Sequence, residues 1–133
     1  MSKKYYGWIA FDRDIRNLAI RIEREGKPKN IFGVPRGGLV AAVRLSHLLD
    51  RPLVLEEDQI DKSTLLVDDV CDSGMTLYRL AKLTRAPIVT LYANEERKIE
   101  VPRLVYARPT KGKWIVFPWE TPGSSKRDSA VAK

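Results

Sequence analysis

Cysteine is almost missing from this chain: Cys71 stands alone among 133 residues. One thiol can form neither an intramolecular disulfide framework nor a multi-cysteine zinc site. Histidine is as scarce. His47 has no Cys or His partner near it in the sequence and reads as structural or exposed rather than as a ligand. Long apolar runs are missing too. The run after Lys3 and Lys4, from Trp8 to Phe11, stops at Asp12, too short for the apolar stretch of a signal peptide. No other run is long enough to span a bilayer, so a cytoplasmic protein with no membrane contact is expected. There is no internal repeat and no low-complexity block.

What remains is an ordinary globular composition, 44% apolar and 31% charged. A chain of this length suits one domain that buries roughly two-thirds of its unfolded surface. Lysine and arginine outnumber the acids by 24 to 17, a formal charge of +7. That excess suggests an anionic partner, whether nucleic acid, anionic lipid or a phosphorylated small molecule, and the total does not choose among them. The charge is uneven, because residues 56–72 hold seven acids against Lys62 alone.

Apolar spacing predicts a helix over 12–25, with Ile15, Leu18, Ala19 and Ile22 on one face, Asp12 as N-cap and Gly26 as stop. Arg13, Arg16, Arg21 and Arg24 alternate with acids and read as its solvated face. A buried strand is predicted over 30–34, a turn over 35–38 and an apolar helix over 39–49 closed by Asp50-Arg51-Pro52. Short strands follow at 53–55 and 64–67, the second buried on both faces, then a helix over about 75–84. Strands at 87–92 and 103–106 complete the pattern. Alternating strands and helices predict an α/β fold, a mainly parallel twisted sheet flanked by helices on both faces. Residues 122–133 lack apolar periodicity and are expected to be a mobile tail.

In such a sheet, ligands bind beyond the carboxyl ends of the strands. Two loops occupy that position. The first runs Leu65-Leu66-Val67-Asp68-Asp69-Val70-Cys71-Asp72-Ser73-Gly74-Met75-Thr76. Its last five residues open a helix, so backbone N–H groups, a hydroxyl of Ser73 or Thr76 and the positive helix end can hold a phosphate. Gly74 lets the backbone come close. Asp68 and Asp69 would repel that phosphate head-on, but neighbouring strand residues face opposite ways. At least one is placed to accept from a sugar diol or to hold a hydrated Mg²⁺. The plainer reading is an acidic strand end before a capped helix. Cys71, inside this motif, reads as a small packed side chain. The second loop, Gly33-Val34-Pro35-Arg36-Gly37-Gly38-Leu39, is by itself either an anion site, with two glycine N–H groups and the forked donors of Arg36, or a tight turn. Together the loops make two phosphate sites flanking one sugar.

That pair resembles the type I phosphoribosyltransferases, whose signature is a hydrophobic strand, two acidic residues and a phosphate-binding loop. The likeness runs from about Trp8 to Glu120. It implies one domain over 1–121, with a core at about 12–107 and a small hood from about 1–11 and 108–121. It also implies that Asp68 and Asp69 bind the ribose hydroxyls of phosphoribosyl pyrophosphate (PRPP), directly or through Mg²⁺. Asp72, Ser73, Gly74, Met75 and Thr76 would hold the 5′-phosphate, and Arg36, Gly37 and Gly38 the pyrophosphate. A non-proline cis peptide is implied at Pro35–Arg36.

Two features are similar to the branch acting on 6-oxopurines, the bacterial xanthine-guanine group. Asp72 matches the aspartate that contacts purine N7 and serves as general acid/base there. Trp114-Ile115-Val116-Phe117-Pro118-Trp119-Glu120 matches its hood segment. Trp114 would stack on the purine, the Ile115 backbone would hydrogen-bond its edge, and Glu120 would be the acid near base and metal. Read without the resemblance, this segment is an edge strand with aromatics packed on the core. Departures are clear. Asn94 stands where that branch has a lysine that contacts the 6-oxo group, and an asparagine can donate to an oxygen or accept from an amine. Ser73 and Met75 replace a threonine and a glycine, with the backbone donors kept. Residues 56–63 are far shorter than the family's closing loop, so either a neighbouring subunit or the tail shields the site, or catalysis is poorly sealed from water.

The implied activity is transfer of phosphoribosyl from PRPP to N9 of a purine, most simply a 6-oxopurine, with release of pyrophosphate and with Mg²⁺ as cofactor. The implied partners are PRPP and the base, in a homodimer or larger homo-oligomer. The alternative is a non-enzymatic regulator on the same fold that senses PRPP or nucleotide and binds nucleic acid, which the basic balance and missing lid suggest. An acidic stretch inside a basic surround fits a pyrophosphorylated sugar with Mg²⁺ better than a nucleic-acid backbone.

Overall fold

The computed structural model describes residues 2–121; the tail expected over 122–133 lies outside the described residues. Chain order gives β1 (Lys3–Tyr5), α1 (Trp8–Glu25), β2 (Asn30–Gly33), α2 (Leu39–Leu49), β3 (Thr64–Cys71), α3 (Met75–Thr84), β4 (Ile88–Ala93), β5 (Leu104–Pro109) and β6 (Trp114–Val116). Four strands form one parallel sheet in the order β2-β3-β4-β5, and β1 pairs with β6 in a separate parallel ribbon.

Side-chain alternation divides the core. Ile31, Leu65, Val67, Val89 and Leu91 face α1 and α2, while Phe32, Leu66 and Ile88 face Leu77, Leu80 and Ala81 of α3. Helices therefore cover both faces, and the strands between them read as continuous apolar runs. Burying one such side chain, Leu66 for example, contributes about 1.5–3 kcal/mol.

The segment 53–55 is not a strand. It makes one parallel bridge, Leu53 to Ile31, with Ile31 N–H donating to Pro52 O and Val54 N–H to Ile31 O. Pro52 on one side and the acids from Glu56 on the other stop the ladder there. That single bridge still fixes topology: from β2 the chain crosses by α2 to one side of the sheet, and from β3 it crosses by α3 to the other. The direction reverses between β2 and β3, which opens a crevice at their carboxyl ends.

The helix α1 starts a turn earlier than its spacing indicated, with Gly7 rather than Asp12 as N-cap. Phe11 is buried and meets Trp119 edge-on at 5.3 Å, so tertiary packing carries the helix back to Trp8. Asp12 instead lies on the helix surface, paired with Arg16 at 2.9 Å and Arg44 at 3.4 Å. Asp14 is a second correction, since it is buried rather than solvated. It accepts from the Tyr6 hydroxyl at 2.6 Å and from Arg108 Nε at 2.6 Å, tying the first residues of the chain to β5. Burial, reinforced by the hydrogen bond and charge of Asp14, pushes the Tyr6 hydroxyl well above the usual phenol range. Tyr6 also meets Tyr92 and Phe117 edge-on, which seats the β1–β6 ribbon on the main sheet.

Candidate active site

The strand β3 runs to Cys71, past the expected end at Val67, while its neighbour β2 stops at Gly33 opposite Val67. Asp68 to Cys71 therefore keep β4 on one edge but lose β2 on the other. There the loop 34–38 peels away, held by Val34 N–H on Val67 O at 2.8 Å. Asp68 and Asp69 lie on this one-sided stretch. Asp68 Oδ1 accepts from Asp69 N–H and Asp69 Oδ1 from Val70 N–H, each at 2.8 Å. An ionised carboxylate has lone pairs for several donors.

The two loops touch. A Cβ added at Gly37 would fall 2.8 Å from Asp69 Cγ, and one added at Gly38 would fall 2.8 Å from Asp68 Cα. At Gly38, which meets backbone, only glycine permits that approach, whereas a side chain at Gly37 would have to displace the Asp69 carboxylate. The Pro35–Arg36 peptide is cis. Gly38 N–H donates to Val34 O at 2.9 Å, so this residue holds the loop against β3. Arg36 is exposed on the same loop.

Beyond β3, Gly74 adopts φ +86° and caps α3 without a side chain of its own. Met75 N–H reaches Ser73 Oγ at 3.2 Å. The opening turn of α3 therefore presents backbone donors and the positive end of the helix at the crevice. Asp72 is exposed just before it, and Asn94 Nδ2 donates to Asp72 Oδ1 at 3.3 Å. Cys71 is buried; desolvation pushes its thiol upward, with Arg97 opposing, so it is a packed and unreactive side chain.

These elements enclose a cavity of about 290 Å³. Its wall gathers Gly37, Asp68, Asp69 and all of Asp72 to Thr76, and faces them with Asn94, Trp114, Ile115 and Glu120. Of the residues singled out in the sequence, Arg36 and Gly38 stand outside the wall. Glu120 Oε1 accepts from Phe117 N–H at 2.7 Å, which turns the segment after β6 back into the site. That segment serves both of its readings. Trp114 lines the cavity, while Phe117 and Trp119 stack at 5.1 Å against the core. Phe117 of the hood segment lines the wall as well, and so do Thr110 and Lys113, which had no motif to mark them apart from the Lys-Gly-Lys turn before Trp114. Among the described wall residues Lys113 is the only cation, against four carboxylates, Asp68, Asp69, Asp72 and Glu120.

The wall suits a hard divalent cation arriving with a phosphorylated ligand. Mg²⁺ is ordinarily held by one or two carboxylates, waters and substrate phosphates. Asp68 and Asp69 offer that much, and among the described residues no cluster of three ligands forms a dedicated cage. No helix among them is long and apolar enough to cross a membrane.

No protein-family model matches the chain. It is 30% identical over 145 residues to a xanthine-guanine phosphoribosyltransferase of Cereibacter sphaeroides, covering 87% of this chain and 86% of that one. Among solved structures it is similar to a purine phosphoribosyltransferase from Pyrococcus horikoshii Ot3, with 35% identity, TM-score 0.76, and 91% and 96% of the two chains covered. It shares the fold of a Helicobacter pylori xanthine-guanine-hypoxanthine phosphoribosyltransferase, with 20% identity, TM-score 0.75, and 94% and 98% covered.

Proposed function

The chain belongs to the purine phosphoribosyltransferases of the type I fold, and we propose that it transfers the 5-phosphoribosyl group of PRPP to N9 of a 6-oxopurine. The observation that carries this reading is the single cavity in which the acid pair of β3, the start of α3, Gly37 and the Trp114–Ile115 strand meet. The N–H groups and hydroxyls of residues 73–76 receive the 5′-phosphate. Asp68 and Asp69 receive the ribose hydroxyls, and Arg36 and Gly37 take the pyrophosphate, with Gly38 shaping their loop. Trp114 stacks on the base, the Ile115 backbone binds its edge, and Glu120 stands near base and metal.

In the reaction the N9–C1′ bond forms as the C1′–O bond to pyrophosphate breaks, through a cation-like C1′. Asp72 takes the proton that leaves N7. Asp68 and Asp69 would hold Mg²⁺, which when bound offsets the charge gathering on pyrophosphate. The nucleic-acid-binding regulator has less in its favour, since the named relatives are transferases.

A homo-oligomer in the cytoplasm completes the reading. Its support is the short 56–63 segment, with only a single helical turn at Glu57–Gln59, which leaves the cavity to be covered by another copy; sedimentation velocity measures that state. The test of function is Mg²⁺-dependent pyrophosphate release from PRPP with hypoxanthine, guanine, xanthine and adenine. Release with a 6-oxopurine supports the reading, and no turnover with any base from well-folded protein overturns it.

A further inference from the structure

We propose that the chain carries a second anion site beside the transferase cavity, a basic pocket that takes a short phosphate chain. The pocket measures about 320 Å³ and is lined by Lys4, Arg108, Pro109, Thr110, Lys111 and Lys113. Segments distant in sequence build it. Lys4 lies on β1, whose parallel pairing with β6 sets it opposite Ile115. Arg108 and Pro109 end β5. Residues 110–113 then turn the chain toward β6, with Lys111 at φ 54°, Gly112 at φ 74° and Lys113 N–H on Thr110 O at 3.1 Å. Positive φ at both central residues makes a type I′ turn, in which asparagine and glycine are the favoured residues and lysine is not. Thr110 and Lys113 also line the transferase cavity, but Lys4, Arg108 and Lys111 do not. The pocket is a neighbour of that cavity and not a part of it.

Charge and an unused hydroxyl both point to an anion. Asp14 holds Arg108 through Nε at 2.6 Å and Nη2 at 3.3 Å, which fixes the guanidinium and leaves the rest of its fork for other acceptors. Among the described residues no carboxylate pairs with Lys4, Lys111 or Lys113. Four cations less the one charge of Asp14 leave three positive charges around the pocket. They repel one another, and an anion seated among them replaces that repulsion by attraction. Thr110 is 8% exposed, and its hydroxyl has no hydrogen-bond partner among the described residues. A buried hydroxyl without a partner is costly, and a phosphate oxygen in the pocket could accept from this one. A single phosphate monoester carries a charge of only about −1.5 to −2, so a di- or triphosphate is the better match.

The test is an amide-resolved NMR titration of the full chain with inorganic tripolyphosphate, inorganic phosphate and ATP, without Mg²⁺. The amides of Lys4, Lys111 and Gly112 are expected to shift saturably, with a midpoint for tripolyphosphate roughly tenfold or more below that for phosphate. Lys4→Gln combined with Lys111→Asn removes two cations that lie outside the transferase cavity, and asparagine suits the left-handed turn position. In that double variant the midpoint at Gly112 should rise roughly tenfold, while the midpoint at the amides of residues 73–76 stays within about twofold. A midpoint for ATP equal to that of tripolyphosphate extends the site to the phosphate end of a nucleotide, and binding of tripolyphosphate alone restricts it to inorganic chains; either upholds the proposal. Shifts confined to residues 73–76, equal midpoints for phosphate and tripolyphosphate, or an unchanged midpoint in the double variant overturn it. So does a single-stranded RNA that binds these amides more tightly than tripolyphosphate, because the surface is then a nucleic-acid contact. The readout is binding at named amides, so it stands or falls apart from phosphoribosyl transfer.

Discussion

Asp14, partway along α1, and Asp72, between β3 and α3, each accept a side-chain hydrogen bond, but in opposite settings. Asp14 is buried between Tyr6 and Arg108, with a phenol and a guanidinium at 2.6 Å on the same oxygen. Asp72 stands exposed in the cavity wall, with Asn94 Nδ2 at 3.3 Å. The first has strong partners and nowhere to send a proton, so it acts as a clamp between segments distant in sequence. The second keeps acceptor capacity toward the cavity, where a substrate proton can arrive. The setting, not the residue type, separates architecture from chemistry.

Three substitutions break or sharpen that contrast. Asp72→Ala should lower turnover by about 10²–10⁴-fold, the usual contribution of a positioned general base, with a much smaller change in PRPP affinity and an unchanged thermal midpoint. A steady-state rate equal to wild type removes Asp72 from the reaction. Arg108→Ala should do the reverse. It strips Asp14 of its cation and should cost about 2–3 kcal/mol in urea unfolding, less than for a fully buried pair because solvent reaches part of Arg108. Turnover of the fraction that stays folded should not change, and a selective loss of rate would erase the distinction. Tyr6→Phe has the smallest expected effect and sharpens the comparison through pH. The folded state holds the Tyr6 proton more tightly than the unfolded chain, whose phenol titrates near 10. Stability from this group is therefore complete below pH 10 and is lost as pH rises above it, because the unfolded state ionises first. Unfolding free energies measured from pH 8 to 11 should fall less steeply in Tyr6→Phe than in the wild type; identical slopes would show that neither burial nor Asp14 shifts the phenol.

Much of this molecule was legible in one dimension. The helices at 39–49 and 75–84 were predicted with their observed ends, because apolar periodicity, Pro52 and the Asp-Ser-Gly turn are local signals. The acid pair and the α3 start were recognisable because strand, acids and small turn residues follow one another in sequence. The misses share a cause, since each depends on a partner far along the chain. Asp14 looked solvated because Arg108 lies 94 residues away. The first turn of α1 depended on Trp119, and Lys113 entered the cavity wall only through the turn before β6. The strand predicted at 53–55 shrank to one bridge, because strand pairing needs neighbours that propensity does not supply.

By itself, the sequence determined the parallel α/β class, the two loops that meet at the sheet's carboxyl ends and the kind of ligand they suit. Those properties follow from local patterns of burial, turn geometry and charge. Tertiary structure decided which carboxylate is a clamp and which lines the cavity, and that Gly38 braces the loop while Gly37 presses on Asp69. It also set the Asn94 amide against Asp72. An amide's orientation is set by what lies across from it, and Asp72, 22 residues earlier in the chain, reaches Asn94 only when β3 and β4 pair.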